Sequence, residues 1–108
     1  MLVTTSTSLE GYKVTDHLGV VRGITVRSRG IGGNFLGGLQ TLVGGRNSVY
    51  TDLCEQSRQE AYDLLMLHAQ QVGANAVINM RYDANEVMQG VTEVLAYGTA
   101  VKVVKSEG

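Results

Sequence analysis

Apolar and polar residues alternate over residues 20–28 of this 108-residue chain. A period of two is typical of a β-strand, and the polar positions indicate that one side of the strand is solvated. Each face of the run has its own set of side chains: Val20, Ile24 and Val26 on one, and Val21, Thr25 and Arg27 on the other.

A long amphipathic helix is predicted next, over about 25 residues that end at a glycine. Asn47 or Ser48 can cap its first turn, and Gly73 is typical of a left-handed C-cap. One face, which we expect to pack on a sheet, carries Tyr50, Leu53, Cys54, Ser57, Ala61, Leu64, Leu65, His68 and Val72. Tyr62 and Met66 lie four positions apart on the opposite side, and they are candidates for a contact between subunits.

A further strand is predicted after the helix, over residues 76–83. Ala76, Ile78, Met80 and Tyr82 alternate there with neighbours that are mostly polar. This pattern is typical of a half-buried strand.

The last strand pattern, over residues 91–104, has apolar side chains on both faces. The small residues Ala96, Gly98 and Ala100 permit a second layer to approach closely. In a chain with so little helix, a neighbouring subunit is a candidate for that layer, so these three residues are candidates for an oligomer interface.

Shorter segments complete the pattern. Residues 2–5 form a brief β-rich run, and residues 11–14 either pair with a neighbour or lead into the first long strand. Apolar residues recur at helical spacing over residues 35–43, although Gly37 and Gly38 each cost about 1 kcal/mol relative to alanine in a helix. This short glycine-containing helix is predicted to depend on packing against another surface.

Together these elements predict an α+β fold in one domain spanning residues 1–108. A small antiparallel sheet is packed by the long helix, with the short glycine-containing helix in addition. A chain of this size buries only roughly two-thirds of the surface that its unfolded form exposes, and it has one Phe and no Trp. We therefore expect its stability to be shared between copies of the chain.

The formal net charge is −1, with Lys and Arg scattered along the chain. This distribution favours neither a nucleic-acid partner nor an anionic membrane. The single cysteine, Cys54, cannot form an internal disulfide, which fits a reducing compartment. The N-terminus lacks the basic and apolar segments of a secretory signal. We expect a soluble, cytoplasmic protein.

Three residues are candidate ligands for a divalent or soft metal ion: Cys54, His68 and His17. Cys54 and His68 are 14 positions apart on one helix, which at 1.5 Å per residue is roughly 21 Å, so they cannot hold the same ion. A site would have to combine distant segments or several subunits. Alternatively, Cys54 is a small buried residue, His68 a packed core histidine and His17 a solvated turn residue.

The start of the long helix offers an anion site, because free backbone N–H groups attract negative charge there. Gly45, Arg46 and Ser48 are the candidate residues, although the sequence matches neither a Walker loop nor a dinucleotide fingerprint. Alternatively, the segment is a tight turn in which Arg46 makes a structural or intersubunit hydrogen bond. No nucleophile with a base and no paired general acid is identifiable, so we expect no catalytic residues and no enzymatic activity.

Several short motifs occur in a specific order: Leu-Gly-Val-Val-Arg-Gly at 18–23, Gly-Gly-Arg at 44–46, Gly-Ala-Asn-Ala-Val at 73–77 and Tyr-Gly-Thr-Ala-Val at 97–101. In this combination the chain resembles the YbjQ-like family of small, largely uncharacterised bacterial and archaeal proteins. The resemblance implies a dodecin/YbjQ-like α+β subunit that assembles into a ring-shaped homopentamer. It also implies the family's label of a heavy-metal-binding domain, which names no ligand set.

The leading hypothesis is a homo-oligomeric, non-enzymatic protein that binds a metal ion or small ligand at its subunit interfaces. The alternative is an assembly scaffold without a small ligand, whose exposed surfaces recruit another protein. The sequence leaves both hypotheses open.

Overall fold

A computed structural model describes residues 1–28 and 46–107 of the chain, with side chains at 1–27 and 51–107. The predicted short glycine-containing helix at 35–43 lies outside the described residues. Within them, the chain forms five elements in the order β1 (Leu2–Val3), β2 (Tyr12–Ser28), α1 (Arg46–Gln71), β3 (Ala76–Met88) and β4 (Val91–Lys105). The predicted α+β class is confirmed.

The four strands form one sheet in the order β1-β3-β4-β2. β4 is central and pairs antiparallel with both β2 and β3, as predicted. β1, however, runs parallel to β3, with Leu2 opposite Ala76 and Val3 opposite Val77. The sheet is therefore mixed, and the expectation of a purely antiparallel sheet was wrong. The sequence gives no signal for this pairing because the strand is only two residues long.

β2 is a single strand that joins the two runs predicted at 11–14 and 20–28. Its register against β4 shifts between Val14 and Asp16 and again between His17 and Gly19. Gly19 has a φ of 104°, a backbone conformation that glycine adopts readily. These bulges hid the continuity of the strand, because each one moves the apolar positions to the other face.

The helix α1 ends as the sequence predicted. The Gly73 N–H donates to the Gln70 carbonyl and the Ala74 N–H donates to the Ala69 carbonyl, each at 3.0 Å, and Gly73 has a φ of 85°. This pair of hydrogen bonds around a left-handed glycine is a Schellman C-cap. At the N-terminal end of α1, the prediction that Asn47 or Ser48 caps the helix was wrong. The helix already begins at Arg46, so Asn47 and Ser48 lie within its first turn.

A bulge in β3 changes which of its residues face the helix. Asn79 has a φ of 55°, and the register against β4 shifts between Ile78 and Arg81. Met80 therefore joins the core beneath α1, whereas Ala76 and Ile78 belong to a second cluster on the other side of the sheet. The prediction that Ala76, Ile78 and Met80 share one face was wrong, because periodicity cannot reveal a bulge.

The small residues of β4 pack within the subunit. Ala96 and Ala100 are fully buried in the core beneath α1. A Cβ on Gly98 would lie 2.7 Å from the Val77 side chain and 3.0 Å from the Ile78 carbonyl oxygen. These three residues let the helix and the neighbouring strand approach closely within one subunit. Their role in an oligomer interface stays a prediction.

The closest approach between helix and sheet is at Gly23 on β2. A Cβ at this position would overlap the Ala61 carbonyl oxygen and would lie 2.5 Å from the Leu65 nitrogen and 2.8 Å from the Leu64 Cβ. Two of these three neighbours are backbone atoms of α1, which a side-chain rotation cannot move away. Gly23 therefore sets the distance between α1 and β2.

We expect Gly23→Ala to lower the free energy of unfolding by about 1–3 kcal/mol, because the added methyl group overpacks the contact with α1. Urea denaturation at one fixed protein concentration measures the change. The control is Lys13→Ala, at an exposed position of the same strand. Equal midpoints for the two variants would contradict the assigned role of Gly23.

Candidate functional site

The more apolar face of β2 points away from the helix. Val20, Ile24 and Val26 expose 71%, 42% and 54% of their surface, whereas Val21 and Thr25 are buried. A strand packed on one side normally buries its more apolar face. The exposed apolar face of β2 is therefore the most unusual surface among the described residues.

Hydrogen bonds hold the polar face of β2 against α1. The Thr25 hydroxyl donates to the Ser57 carbonyl at 3.2 Å, and the Arg27 Nε donates to the Ser57 hydroxyl at 3.0 Å. Arg27 also forms an ion pair with Glu60 at 2.8 Å. These contacts satisfy polar groups where helix and strand meet, so Val20, Ile24 and Val26 necessarily point to the opposite side.

His68 links α1 to the outer edge of β2. Its Nδ1 accepts a hydrogen bond from the backbone N–H of Arg22 at 3.1 Å. Because Nδ1 is the acceptor, the proton of the neutral ring lies on Nε2. Neither ring nitrogen then offers a free lone pair to a metal ion.

The β2 flank is the surface at the outer edge of β2. It is formed by Arg22 and by the exposed apolar residues of β2 and of the adjoining part of α1. Leu64 and Leu67 expose 43% and 50% of their surface on the helix, and at about 100° per residue they lie on the His68 side of the buried stripe. The Arg22 guanidinium forms no ion pair with another described residue. The β2 flank comprises Val20, Arg22, Ile24 and Val26 of β2 and Leu64 and Leu67 of α1.

The β3 flank is the opposite side of the subunit, where α1 faces β3. Tyr62 and Met66 are half-buried there and pack against the core, while Tyr82 is exposed on β3. Burial and then the nearby Tyr62 phenol raise the pKa of Tyr82 above its usual value of 10.0, and Arg58 opposes them. The β3 flank comprises Glu55, Arg58, Tyr62, Asp63 and Met66 of α1 and Tyr82 of β3.

The far end of β3 and β4 is acidic. These strands continue past the core as a hairpin, and every residue from Arg81 to Gln89 is exposed. Between Tyr82 and Val101 the chain has three acidic residues and no Lys or Arg. The part of the hairpin beyond Arg81 therefore carries only negative charges.

The structure does not bring the predicted metal ligands together. Cys54 and His17 are exposed, and His68 is engaged with Arg22. No group of three or more His, Cys, Asp or Glu side chains that could hold a metal ion occurs among the described residues. The described donors of one subunit therefore do not fit a metal site. The alternative interpretation of Cys54 as a buried residue was wrong.

The predicted anion site lies only partly within the described residues. Gly45 is outside the described residues, and the side chains of Arg46 and Ser48 are outside the described side chains. Their helix does begin at Arg46. Anion binding by these residues stays a prediction.

Sequence reasoning missed Arg22, Leu67 and Tyr82 as surface residues of interest. A signal was present for the first, because β2 carries apolar residues on both faces and only one face can contact a single helix. Leu67 and Tyr82 had no such signal. Their exposure depends on where the helix crosses the sheet, which residue spacing does not specify.

Taken together, the described residues define a four-stranded mixed sheet with one long helix on one face. A family model described as "Putative heavy-metal-binding" matches residues 1–104. A UPF0145 protein of Solibacter usitatus is 63% identical over 102 residues, covering 94% of this chain and 91% of the relative. A UPF0145 protein of Burkholderia thailandensis is 54% identical over 105 residues, covering 97% and 95%. The chain belongs to the YbjQ family, and the resemblance seen in the sequence is confirmed.

A solved structure has the same fold. The crystal structure of a protein of unknown function from the DUF74 family of Pediococcus pentosaceus superposes with a TM-score of 0.63. The match covers 96% of this chain and 98% of that chain at 18% sequence identity.

No helix among the described residues combines the length and apolarity that a membrane crossing requires.

We expect His68→Leu to lower the free energy of unfolding by about 1 kcal/mol, because the Arg22 N–H loses its acceptor. His68→Asn is the matched control, since its Oδ1 occupies nearly the same place as Nδ1 and can accept the bond. Urea denaturation compares the two variants. Equal destabilisation by both would show that the hydrogen bond is not what His68 contributes.

Proposed function

We propose that this chain is a self-assembling, non-enzymatic subunit that forms a homopentameric ring and binds a metal ion at the contacts between subunits. One observation carries the assembly: the apolar face of β2 is exposed in the subunit while the polar face is packed on α1. A second copy that covers the β2 flank would remove this apolar surface from water. The five-fold ring comes from the likeness to the YbjQ family.

The architecture supports assembly for a second reason. The described part of the sheet is covered by α1 on one face, and the cluster around Leu9 and Val14 covers only one end of the other face. A sheet is most stable when each apolar face contacts another layer. A neighbouring subunit can supply the missing layer over Val20, Ile24 and Val26.

Metal binding rests on the description of the family model and on the available donors. Cys54 is a free, exposed thiol and His17 an exposed imidazole, so both are accessible to a neighbouring copy. Thiolate and imidazole are the ligands that zinc and softer ions prefer. Because the described donors within one subunit do not cluster, we propose that donors from more than one copy share the ion. A single free cysteine fits a reducing cytoplasm as the place of action.

The second candidate function is a scaffold that recruits another protein without binding a metal. It is favoured by the tip of the β3–β4 hairpin, where Val87 and Met88 are exposed. Exposed apolar residues at the end of a projecting hairpin are accessible to a partner. The metal content of the purified protein separates the two functions.

We expect Val20→Asp with Val26→Asp to convert the oligomer into a monomer, because two carboxylates would be buried in an apolar contact. Val104→Asp is the matched control, since Val104 is also exposed on a strand but lies outside both flanks. Native mass spectrometry gives the subunit count of each variant. An oligomer of unchanged size for the double variant would place the contact elsewhere.

We expect protein purified without chelators to retain zinc or a softer metal ion in a fixed ratio to subunits, and Cys54→Ala to lose it while keeping the same subunit count. Native mass spectrometry with elemental analysis measures both quantities. His68→Asn is the control, because His68 Nδ1 already accepts a hydrogen bond from the Arg22 N–H within the subunit. Metal content at background in the unmutated oligomer would remove the metal function and favour the scaffold.

A further inference from the structure

The open face is the side of the sheet that points away from α1, and the exposed apolar residues of β2 lie on it. Residues directly opposite each other in antiparallel strands point to the same side of a sheet. The register of β4 with β2 and β3 therefore arranges side chains on this face in rows. One of them, the arginine row, crosses the three long strands and comprises Arg22, Tyr97 and Arg81. No other row that the described strands form on the open face has two basic side chains.

Neither arginine of this row is neutralised by a carboxylate of the described residues. The ion pair found among those residues joins Arg27 to Glu60, on the side of α1. The Arg22 guanidinium also forms no hydrogen bond with a described residue, so all five of its N–H donors are available. Only β4 separates the strands of the two arginines, which places their Cα atoms roughly 10 Å apart. Two positive charges without counter-charges therefore flank the same point of β4.

Arg81 is held in place by the backbone of its own subunit. Its Nη1 donates to the Thr5 carbonyl at 2.7 Å and to the Met80 carbonyl at 3.0 Å. These carbonyl oxygens carry no formal charge, so they orient the guanidinium without cancelling its positive charge. Its Nε and Nη2 form no hydrogen bond with a described residue, and this edge of a guanidinium can bind two oxygen atoms of one anion. Arg81 is therefore a fixed cation with a free pair of donors.

Tyr97 lies between the two arginines on the central strand. Its Cβ is about 5 Å from the Cβ of each arginine, as in any directly opposed antiparallel pair. The side chain is half-buried, and its hydroxyl forms no hydrogen bond with a described residue. A phenol O–H can donate to an anion. The row thus combines two guanidinium groups with one neutral donor between them.

We propose that the arginine row binds the phosphate group of a small, soluble phosphate monoester. A phosphate monoester carries between one and two negative charges near neutral pH, which match two guanidinium groups that form parallel hydrogen bonds to its oxygen atoms. Arg81 supplies the fixed donors, and the unpartnered Arg22 completes the site from the other side of Tyr97. All three residues belong to one subunit, so this inference does not rest on the proposed assembly. The site is also distinct from the predicted anion site at the start of α1.

The neighbouring rows restrict what the phosphate can be attached to. Ile24 and Leu95 form the next row toward the hairpin tip, and Ile24 exposes 42% of its surface. They offer an apolar surface to the body of the ester. Asp83 lies opposite Leu95, and Glu93 lies in the row after it, so both disfavour a second negative charge on the ligand. The class of ligand is therefore a monoester with one phosphate and an uncharged, apolar body. A polynucleotide does not fit, because it repeats the negative charge at every residue.

In the proposed assembly, the bound phosphate would lie at the contact between subunits. The neighbouring copy would cover Val20 and Ile24, which are on both sides of Arg22 along β2. A guanidinium that is buried without a counter-charge destabilises a contact. The phosphate supplies that counter-charge, so ligand binding and assembly are compatible on the same face.

Phenyl phosphate is a suitable probe, because it has one phosphate and one uncharged apolar body. A titration followed by NMR of the backbone amides gives both its dissociation constant and the place where it binds. Inorganic phosphate and phenol are the comparison probes, since each lacks one of the two parts. The variants are Arg22→Gln and Arg81→Gln, and circular dichroism confirms that each is folded. Arg58→Gln is the matched control, because it removes the same charge from an exposed arginine beside Tyr82, on the other side of the sheet.

We expect phenyl phosphate to shift the amides around the arginine row and to bind at least about tenfold more tightly than inorganic phosphate or phenol. Arg22→Gln and Arg81→Gln should each weaken its binding by at least about tenfold, because each removes charge-assisted hydrogen bonds to the phosphate. Arg58→Gln should change the dissociation constant by less than about twofold. Binding should also weaken as salt is added, since exposed charges are screened.

Three outcomes would overturn the inference. They are the absence of saturable binding of phenyl phosphate, amide shifts centred away from the arginine row, and equal effects of Arg22→Gln and Arg58→Gln. If Arg81→Gln fails to fold, Arg81→Lys replaces it, because lysine keeps the charge but does not offer the paired donors of a guanidinium. Binding by Arg81→Lys that equals binding by the unmutated protein would then contradict the role assigned to Arg81.

Discussion

The contact between Gly23 of β2 and the backbone of α1 is the constraint on which the rest of the structure depends. It brings a helix and a strand so close that no side chain fits between them. The hydrogen bonds from Thr25 and Arg27 to Ser57 then hold the strand at this distance. Because side chains alternate along a strand, the same contact directs Val20, Ile24 and Val26 away from the helix.

The position of the helix creates the two flanks. α1 lies against β2, and His68 bonds the outer edge of that strand. Leu64 and Leu67 are therefore displaced beyond the edge, and Tyr62 and Met66 are turned toward β3. A helix centred on β4 would have covered both sides more evenly. The unequal covering leaves one apolar surface and one surface of aromatic and charged side chains on a molecule whose extents are 57 × 26 × 18 Å.

The candidate metal ligands of the described residues do not lie in one place. The donors that the sequence offers are distributed along the fold: Cys54 is exposed on the helix, His17 is exposed on β2, and His68 serves the structure. In the proposed function metal binding depends on assembly, because the described donors of one subunit do not form a cluster. This is why the flanks are the candidate functional site.

The sequence by itself determined the α+β class, the long helix with its Gly73 cap, the two long C-terminal strands and the family. These features depend on local spacing and on glycine conformation, which residues a few positions apart specify. The parallel pairing of β1, the bulge at Asn79 and the destination of the small residues of β4 were decided only by the tertiary structure. They depend on contacts between segments that are far apart in the chain. The exposure of the apolar face of β2 depends on such a contact too, because the approach of the helix at Gly23 determines which face of the strand is covered.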